Sequence, residues 1–237
     1  MLISADPALI SKRAWTAAFQ GLQQRLAANR QKLQTLRLKT ADGFSVFDFI
    51  DPSENVLSDI LAFLLTPDAT HGQGTLFLEI LLNHASASKA PAADNATVAR
   101  EALTFAIENH RRRLDILVTL PDFMFAIETK KYTSEGQNQI RDYCKHLQKI
   151  SRNRFCLVFL TRTGEEAISI PKKAAAKLHA EGHLVCWSWE KDIPAWLDKC
   201  RRGCKAPKIQ HFLKDFQTYI AAYLATNQPE ETNDEEE

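Results

Sequence analysis

The residues with the clearest chemical potential stand at the end of an apolar segment. Residues 125 to 131 read FAIETKK, in which three residues typical of a buried β-strand precede Glu128 and Lys130. Side chains alternate between the two faces of a strand, so residues two apart place this carboxylate and this ammonium on one face. A surface ion pair at a strand end would also explain the two charges, and it would contribute less than about 1 kcal/mol.

The preceding segment supplies a second carboxylate. Residues 114 to 119, LDILVT, predict another strand, and Pro121 and Asp122 in LPDF predict the turn between the two. A hairpin centred on that turn pairs residues whose numbers sum to 243, so Asp115 faces Glu128 with their Cβ atoms about 5 Å apart. The opposite face is apolar throughout, which fixes the register because a slip of one residue would turn one strand over. That face consists of Leu114, Ile116, Val118, Phe123, Phe125 and Ile127.

Two facing carboxylates call for a positive charge between them. At about 5 Å they repel by roughly 3 kcal/mol at an effective dielectric constant of about 20. Lys130 could supply the charge, and so could a hard divalent cation, which prefers oxygen ligands. The hairpin therefore predicts a charged site formed by Asp115, Glu128 and Lys130 at one end of a rigid sheet.

These residues belong to a longer ordered pattern, in which twelve residues separate the aspartate from the glutamate. In chain order it comprises Glu54 and Ser58 with ILAFLL, HGQG at 71 to 74, Asp115, Glu128-Thr129-Lys130, and EGQNQIRDYCKHL with Gln139 and Tyr143. The pattern resembles the PD-(D/E)XK nuclease superfamily, and within it a bacterial branch that shares the two upstream elements. The resemblance covers about residues 50 to 165, and Leu114 stands where the superfamily's name has proline.

The resemblance implies an α/β fold with a restriction-endonuclease-like core. In that core an α-β-β-β-α-β order builds a central mixed sheet flanked by helices, and hydrophobic periodicity along this chain predicts the same order. The predicted strands lie around 98 to 107, in the 114 to 130 hairpin, at RFCLVFLT and at LVCWSW. The predicted helices cover 8 to 37, the segments after Asp51 and after HGQG, 134 to 150, 171 to 181 and about 206 to 226.

The resemblance also implies an activity, that of a metal-dependent nuclease that hydrolyses phosphodiester bonds of DNA. Asp115, Glu128 and the Thr129 backbone carbonyl would bind Mg²⁺, for which Mn²⁺ can substitute. Lys130 would orient or deprotonate the attacking water and stabilise the developing negative charge. Defence against foreign DNA is an expectation from family analogy alone.

Two further residues have a structural and a functional interpretation each. Glu54 follows Asp51 and Pro52 at the spacing of a helix capping box, whereas the resemblance implies an additional acidic metal ligand or water-positioning group. Gln139 lies on the polar side of the helix after the hairpin. It is either a solvated residue or, as the resemblance implies, a catalytic residue that reaches Lys130 or a phosphate.

Basic residues near the hairpin are candidates for contacts with nucleic acid. Arg111, Arg112 and Arg113 lead into the first strand, and Arg113 shares the outward face with Asp115. Lys131 lies just beyond the second strand and is a further candidate. His71 in HGQG is either a turn residue or, in view of the resemblance, a phosphate contact.

Composition narrows the class of protein. The 237 residues carry a net charge of +1, but the last eleven hold six acidic groups, so the preceding part has 30 basic against 23 acidic residues. A protein with this excess of positive charge suits a polyanionic partner.

The sequence lacks the motifs of several other classes of protein. No phosphate-binding glycine loop occurs, and the five cysteines have no zinc-ligand spacing, so they are expected to be reduced thiols. No apolar run reaches the length of a membrane span and no secretion signal is evident, so a cytoplasmic location without membrane contact is expected.

The predicted organisation has three parts: a basic amphipathic helix at 1–45, a nuclease-like domain at 46–226 and an acidic tail at 227–237. The N-terminal helix has seven Lys or Arg and no Asp or Glu between Pro7 and Ala41. It could pack on the domain with a solvated basic face, contact phosphates, or form a homodimer. Its apolar stripe consists of Trp15, Phe19, Leu22, Leu26, Leu33 and Leu36, with Asn29 interrupting it.

Two alternatives to the enzyme stay open at this point. One is a catalytically silent member of the same fold that binds nucleic acid or a protein. The other is an interaction protein built around the long helix and the acidic tail. The intact set of Asp115, Glu128 and Lys130 favours the enzyme.

Overall fold

The computed structural model describes residues 7–41, 43–85, 90–105, 112–131 and 134–224. By their internal contacts the residues form two compact units, 1–48 and 49–237. The predicted acidic tail lies outside the described residues. Among the described helices, none combines the length and the apolar composition that crossing a bilayer requires.

The first unit is dominated by one helix, α1, Pro7–Thr40. It ends where Ala41 adopts a left-handed backbone conformation with φ 46°, and the Ala41 amide donates to the carbonyl of Arg37 at 2.9 Å. A 3-10 turn, Val46–Asp48, follows. The six apolar side chains of the predicted stripe each expose between 50 and 75% of their surface.

The second unit contains the five strands and the remaining helices that the described residues form. The strands are β1 (Thr97–Leu103), β2 (Arg113–Leu120), β3 (Phe123–Thr129), β4 (Phe155–Thr161) and β5 (Leu184–Ser188). The helices are α2 (Glu54–Leu65), α3 (Leu76–Ala85), α4 (Gln139–Ile150), α5 (Lys172–Ala180), α6 (Asp192–Gly203) and α7 (Pro207–Tyr219), which continues as a π-helical turn, Ile220–Leu224.

The strands form one mixed sheet in the order β1-β2-β3-β4-β5. Strands β1, β2 and β3 are antiparallel neighbours, and β3, β4 and β5 are parallel neighbours. Tight turns join only antiparallel strands, so the parallel part needs the crossover helices α4 and α5. The predicted α/β class, mixed sheet and α-β-β-β-α-β order are confirmed.

The predicted hairpin register is also observed. Ile116 pairs with Ile127 and Leu120 pairs with Phe123, so the numbers of paired residues sum to 243. Leu114, Ile116, Val118, Phe125 and Ile127 on the apolar face are buried. Asp115 and Glu128 therefore come next along the two strands, one step beyond the Ile116–Ile127 pair.

The sheet is covered on both faces at its centre, where every residue of β4 is buried. Ile140, Tyr143 and Leu147 of α4 belong to the same buried cluster as Leu157 and Phe159 of β4. Burial on both faces is typical of the parallel part of a sheet, and it explains why RFCLVFLT lacks polar alternation. The five cysteines are free thiols, as expected.

The structure contains one helix that the sequence interpretation lacks, α6 at Asp192–Gly203. Pro194 lies in its first turn, where a proline is tolerated because the missing amide has no partner within the helix. Trp196 of this helix is fully buried, and its indole Nε1 donates to the carbonyl of Phe77 at 3.0 Å. Tertiary contacts of this kind stabilise a segment whose local sequence is a weak helix signal.

Candidate active site

Asp115 is held by the strand that faces it. Its Oδ2 accepts hydrogen bonds from the backbone amide of Thr129 at 2.7 Å and from the Thr129 hydroxyl at 2.8 Å. A hydroxyl has one proton, and that of Thr129 is donated to Asp115, so Ser58 is the donor in its 2.7 Å contact with the Thr129 hydroxyl. Helix α2 thus orients Asp115 through a buried chain of two hydroxyl groups.

Glu128 is almost completely buried, with 1% of its surface exposed. Its Oε1 accepts from the side-chain amide of Gln139 at 2.6 Å and lies 3.0 Å from Nζ of Lys130. Among the described residues, its Oε2 has no hydrogen-bond partner. Leaving a buried carboxylate oxygen unpaired is costly, so this atom marks a position where a further positive group is expected.

Gln139, the first residue of α4, fixes the carboxylate of Glu128. Its Nε2 also contacts the hydroxyl of Tyr143 at 3.0 Å, and its Oε1 accepts from the amide of Gly136 at 2.9 Å. The hydroxyl of Tyr143 donates to the carbonyl of Arg113 at 2.6 Å. The amide therefore binds Glu128, whereas the expectation from sequence was a contact with Lys130 or a phosphate.

Lys130 lies between two acidic residues. Its Nζ is 3.0 Å from Oε1 of Glu128 and 3.7 Å from Oε1 of Glu54. Its backbone amide donates to the carbonyl of Leu160 at 2.8 Å, which ties the residue to β4. The ammonium group is thereby fixed beside the carboxylates, with 14% of the side chain exposed.

Glu54 does not belong to the predicted capping box. The N-cap of α2 is Ser53, whose hydroxyl accepts from the amide of Val56 at 3.4 Å. Glu54 turns instead towards the exit of β3, where its Oε2 accepts from the backbone amide of Lys131 at 2.8 Å. The structural explanation of Glu54 as a cap is therefore wrong, and the residue lies at the site.

The carboxyl groups and the ammonium group perturb one another. Burial raises the pKa of Glu128 to about 8, and the charge of Asp115 adds to this rise while Lys130 opposes it. Burial also raises the pKa of Asp115, against the hydrogen bonds from Thr129. Burial lowers the pKa of Lys130, but attraction to Glu128 and Glu54 outweighs this effect, and the net shift is upward. At neutral pH Lys130 is charged, whereas Glu128 is ionised only in part.

A divalent cation fits this donor set. It would pair with the unpartnered oxygen of Glu128 and offset the repulsion from Asp115. Within the part of the chain that the structure describes, no group of three or more His, Cys, Asp or Glu side chains is placed to hold a metal ion. Two carboxylates remain, and a hard divalent cation held by one or two carboxylates can complete its shell with waters and phosphate oxygens.

A comparison with known protein families agrees with this geometry. Residues 44–218 match the model of the PD-(D/E)XK nuclease superfamily. The chain belongs to this superfamily. No curated protein and no solved structure matches the chain. Membership in the PD-(D/E)XK superfamily implies a nuclease with a nucleic acid substrate, and nucleases of this superfamily generally use divalent metal ions.

The structure gives Lys131 a different role from the predicted phosphate contact. Its ammonium group is buried and donates to Oδ1 of Asp51 at 2.8 Å, to the carbonyl of Pro52 at 2.9 Å and to the hydroxyl of Tyr219 at 3.2 Å. Lys131 thus joins the exit of β3, the entry of α2 and helix α7. Turned inward in this way, the ammonium group is engaged by partners within the protein.

His71 is likewise used internally. Its ring is buried, its Nδ1 accepts from the amide of Gln73 at 3.0 Å, and its Nε2 therefore carries the proton and contacts the carbonyl of Thr66 at 2.9 Å. Both ring nitrogens are engaged in the HGQG turn. Of the two interpretations of His71, this arrangement agrees with that of a turn residue. It leaves no ring nitrogen for a phosphate.

The three arginines before β2 have different surroundings. Arg113 is exposed, and its guanidinium contacts Oε2 of Glu101 at 2.8 Å. Arg112 is tied to α4 through Asp142 at 3.0 Å. Arg111 lies outside the described residues. Of the basic residues near the hairpin that were proposed from sequence, Arg113 alone among the described ones is exposed enough for a phosphate contact.

Sequence reasoning missed one residue that supports the site, Arg100 in β1. Its guanidinium donates to Oδ1 of Asp59 at 2.7 Å, to the carbonyl of Asn55 at 3.2 Å and to the backbone carbonyl of Asp115. It thereby connects β1, α2 and β2, the strand that carries Asp115. In the sequence, Arg100 is only a single basic residue within a short strand of alternating exposure. Many surface residues without a function have the same pattern.

The raised pKa of Glu128 predicts a pH-dependent stability for the metal-free protein. A folded-state pKa of about 8, above the ordinary 4.5, means that a stabilising proton is fully present below pH 4.5 and lost as pH rises through about 8. In EDTA, the melting temperature should fall by several degrees between about pH 6.5 and 8.5. Glu128→Gln should show a smaller fall, and Mg²⁺ should stabilise the wild type more at the higher pH. Identical pH slopes for the two proteins would refute this explanation.

The buried position of Lys131 predicts a structural phenotype. Lys131→Met removes three hydrogen bonds of an ammonium group and should lower the melting temperature by about 3 to 8 °C, because bonds to charged groups contribute about 1.5 to 3 kcal/mol each before compensation. Lys173→Met, at an exposed position of α5, is the matched control. An unchanged melting temperature combined with weaker binding of DNA would restore the phosphate role.

Proposed function

We propose that this PD-(D/E)XK protein is a Mg²⁺-dependent deoxyribonuclease with Asp115, Glu128 and Lys130 as its catalytic residues. The observation that carries the proposal is the unpartnered, buried Oε2 of Glu128 in a site that also holds Asp115 and the ammonium of Lys130. A structural ion pair would have no use for a buried carboxylate oxygen without a partner. In a site that receives a divalent cation, this oxygen would bind the cation directly.

Asp115, Glu128 and the backbone carbonyl of Thr129 would hold the cation. When bound, Mg²⁺ or Mn²⁺ would acidify the attacking water and neutralise charge on the scissile phosphate. The hydrogen bonds from Thr129 and Gln139 hold the two carboxylates in place before substrate arrives. Such preorganisation lowers the cost of reaching the transition state because the charged groups need not reorient.

Lys130 would act as a charged donor. Its raised pKa keeps the ammonium protonated at neutral pH, so it is suited to orient the water and to stabilise negative charge on the phosphate. A general base would instead need a lowered pKa. Glu54, 3.7 Å from Nζ of Lys130, would position this ammonium or provide a further acidic group near the metal.

DNA is the proposed substrate on two grounds. The chain before its acidic end carries an excess of basic residues, and Arg113 presents an exposed guanidinium at the start of the strand that carries Asp115. Gln139 would serve the reaction by orienting Glu128. We propose defence against foreign DNA as the biological role, by analogy with other nucleases of this fold.

Cleavage of plasmid DNA tests the proposal. The wild type should convert supercoiled plasmid to nicked or linear products with Mg²⁺ or Mn²⁺ and should be inactive in EDTA. A matched RNA substrate decides between the two nucleic acids. Binding of DNA without cleavage under every metal condition would indicate the catalytically silent module instead.

Substitutions at the site should separate catalysis from folding. Asp115→Asn, Glu128→Gln and Lys130→Met should each reduce the cleavage rate by about 100-fold or more, since each removes a charge that acts on one phosphate. Glu54→Gln should have a smaller effect of about tenfold, as expected for a group that acts through Lys130.

Two variants provide matched controls for that experiment. Asp122→Asn changes an exposed aspartate in the turn at the other end of the same hairpin, and Lys173→Met changes an exposed lysine of α5. Both should cleave at the wild-type rate. Full activity of Lys130→Met in a preparation whose Asp115→Asn counterpart is inactive would remove Lys130 from the mechanism.

A further inference from the structure

Helix α1 carries a seven-residue repeat. Trp15, Phe19, Leu22, Leu26, Asn29, Leu33 and Leu36 follow one another at alternating steps of four and three residues. These steps place them at successive d and a positions of three heptads, with Asn29 at a d position. The six apolar members are each at least half exposed. A narrow stripe of two residues in seven with a period of 3.5 is the seam of a coiled coil.

Five of the seven basic residues of this helix border the seam, and the other two, Lys12 and Arg13, precede its first member. From residue 14 to residue 40 the helix has five Lys or Arg, and all five occupy e or g positions. Over the same residues 14 to 40, the outward b, c and f positions hold only Gln, Ala, Gly, Thr and one Leu, and the whole helix has no acidic residue. Charges at e and g select the partner of a coiled coil. The five residues are Arg25, Arg30, Lys32, Arg37 and Lys39.

This arrangement disfavours pairing of α1 with a second copy of itself. In a parallel pair, a g position faces the following e position of the other helix, so Arg25 of one copy would face Arg30 of the other, and Lys32 would face Arg37. In an antiparallel pair, g faces g and e faces e, which again brings cations together. The homodimer considered from the sequence therefore conflicts with the charges on both sides of the seam.

We propose that α1 is a docking helix for an acidic amphipathic helix of another polypeptide. The partner would offer aliphatic residues at its a and d positions, Asp or Glu at e and g, and a polar residue opposite Asn29. The acidic end of this chain, NQPEETNDEEE, does not meet that description, because it has no aliphatic or aromatic residue to fill the seam. The docking function is independent of the nuclease chemistry proposed above.

Two other partners fit α1 less well. A helix that lies in a membrane interface has a broad apolar face, whereas this stripe is narrow, keeps a strict seven-residue period and contains the polar Asn29. Nucleic acid would engage Arg25, Arg30 and the other cations but would leave six large apolar side chains in water. A helical partner engages the seam and both of its charged borders at once.

Binding of designed peptides to the full-length protein tests this docking surface. Two peptides of about four heptads would share one Leu-rich a and d core, and they would carry either Glu or Lys at every e and g position. The wild type should bind the Glu peptide at least about tenfold more tightly than the Lys peptide, and Leu26→Asp should abolish this binding. Reversal of the border charges (R25E, R30E, K32E and R37E) should reverse the preference.

The outward face of the same helix provides the matched control. Gln24→Glu and Gln31→Glu introduce glutamates at f positions, away from the seam, and should leave the preference unchanged. Equal binding of the two peptides, or binding of neither, would overturn the proposal. It would also be overturned by a dimer of the wild type alone, or by binding to phosphatidylserine vesicles, if either is lost in Leu26→Asp.

Discussion

Burial of the Glu128 carboxyl group is the constraint on which the rest of the site depends. The residue lies on the central strand, where folding favours a neutral group, and the pKa is raised to about 8 as a result. Gln139 and Lys130 both bind one oxygen and leave the other without a partner among the described residues. The fold therefore holds the carboxyl group in a position that is unfavourable for stability and favourable for receiving a cation.

The topology explains why the site forms at this end of the sheet. Strand β3 has an antiparallel neighbour on one edge and a parallel neighbour on the other, so its final residues meet β2 as well as β4. Helices α2 and α4 begin at Glu54 and Gln139, which both contact the site. Helix N-termini carry partial positive charge, so these two ends also favour anionic groups, including a phosphate.

The sequence was informative where the structure is local. The hairpin register follows from a short turn and one apolar face, and it correctly brought Asp115, Glu128 and Lys130 together. The sequence was not informative about contacts between segments that lie far apart in the chain. Lys131 meets Asp51 and Tyr219 across about 80 residues, and no local pattern encodes that meeting. Arg100 and helix α6 were missed for the same reason, because distant partners stabilise them.

Lys130 and Lys131 show how strand geometry assigns different roles to neighbouring residues of one type. Successive side chains at the end of a strand point to opposite sides, so only one of the two can share the side of Glu128. Lys130 does so and lies 3.0 Å from that carboxylate, while Lys131 contacts Asp51 just before α2 and Tyr219 of α7. The charge of Lys131 and its position after the strand suggested a contact with nucleic acid. Its role is decided instead by the alternation of side chains along the strand and by its partners Asp51 and Tyr219. A basic residue beside a catalytic strand is therefore a candidate for phosphate only after the side on which it lies is known.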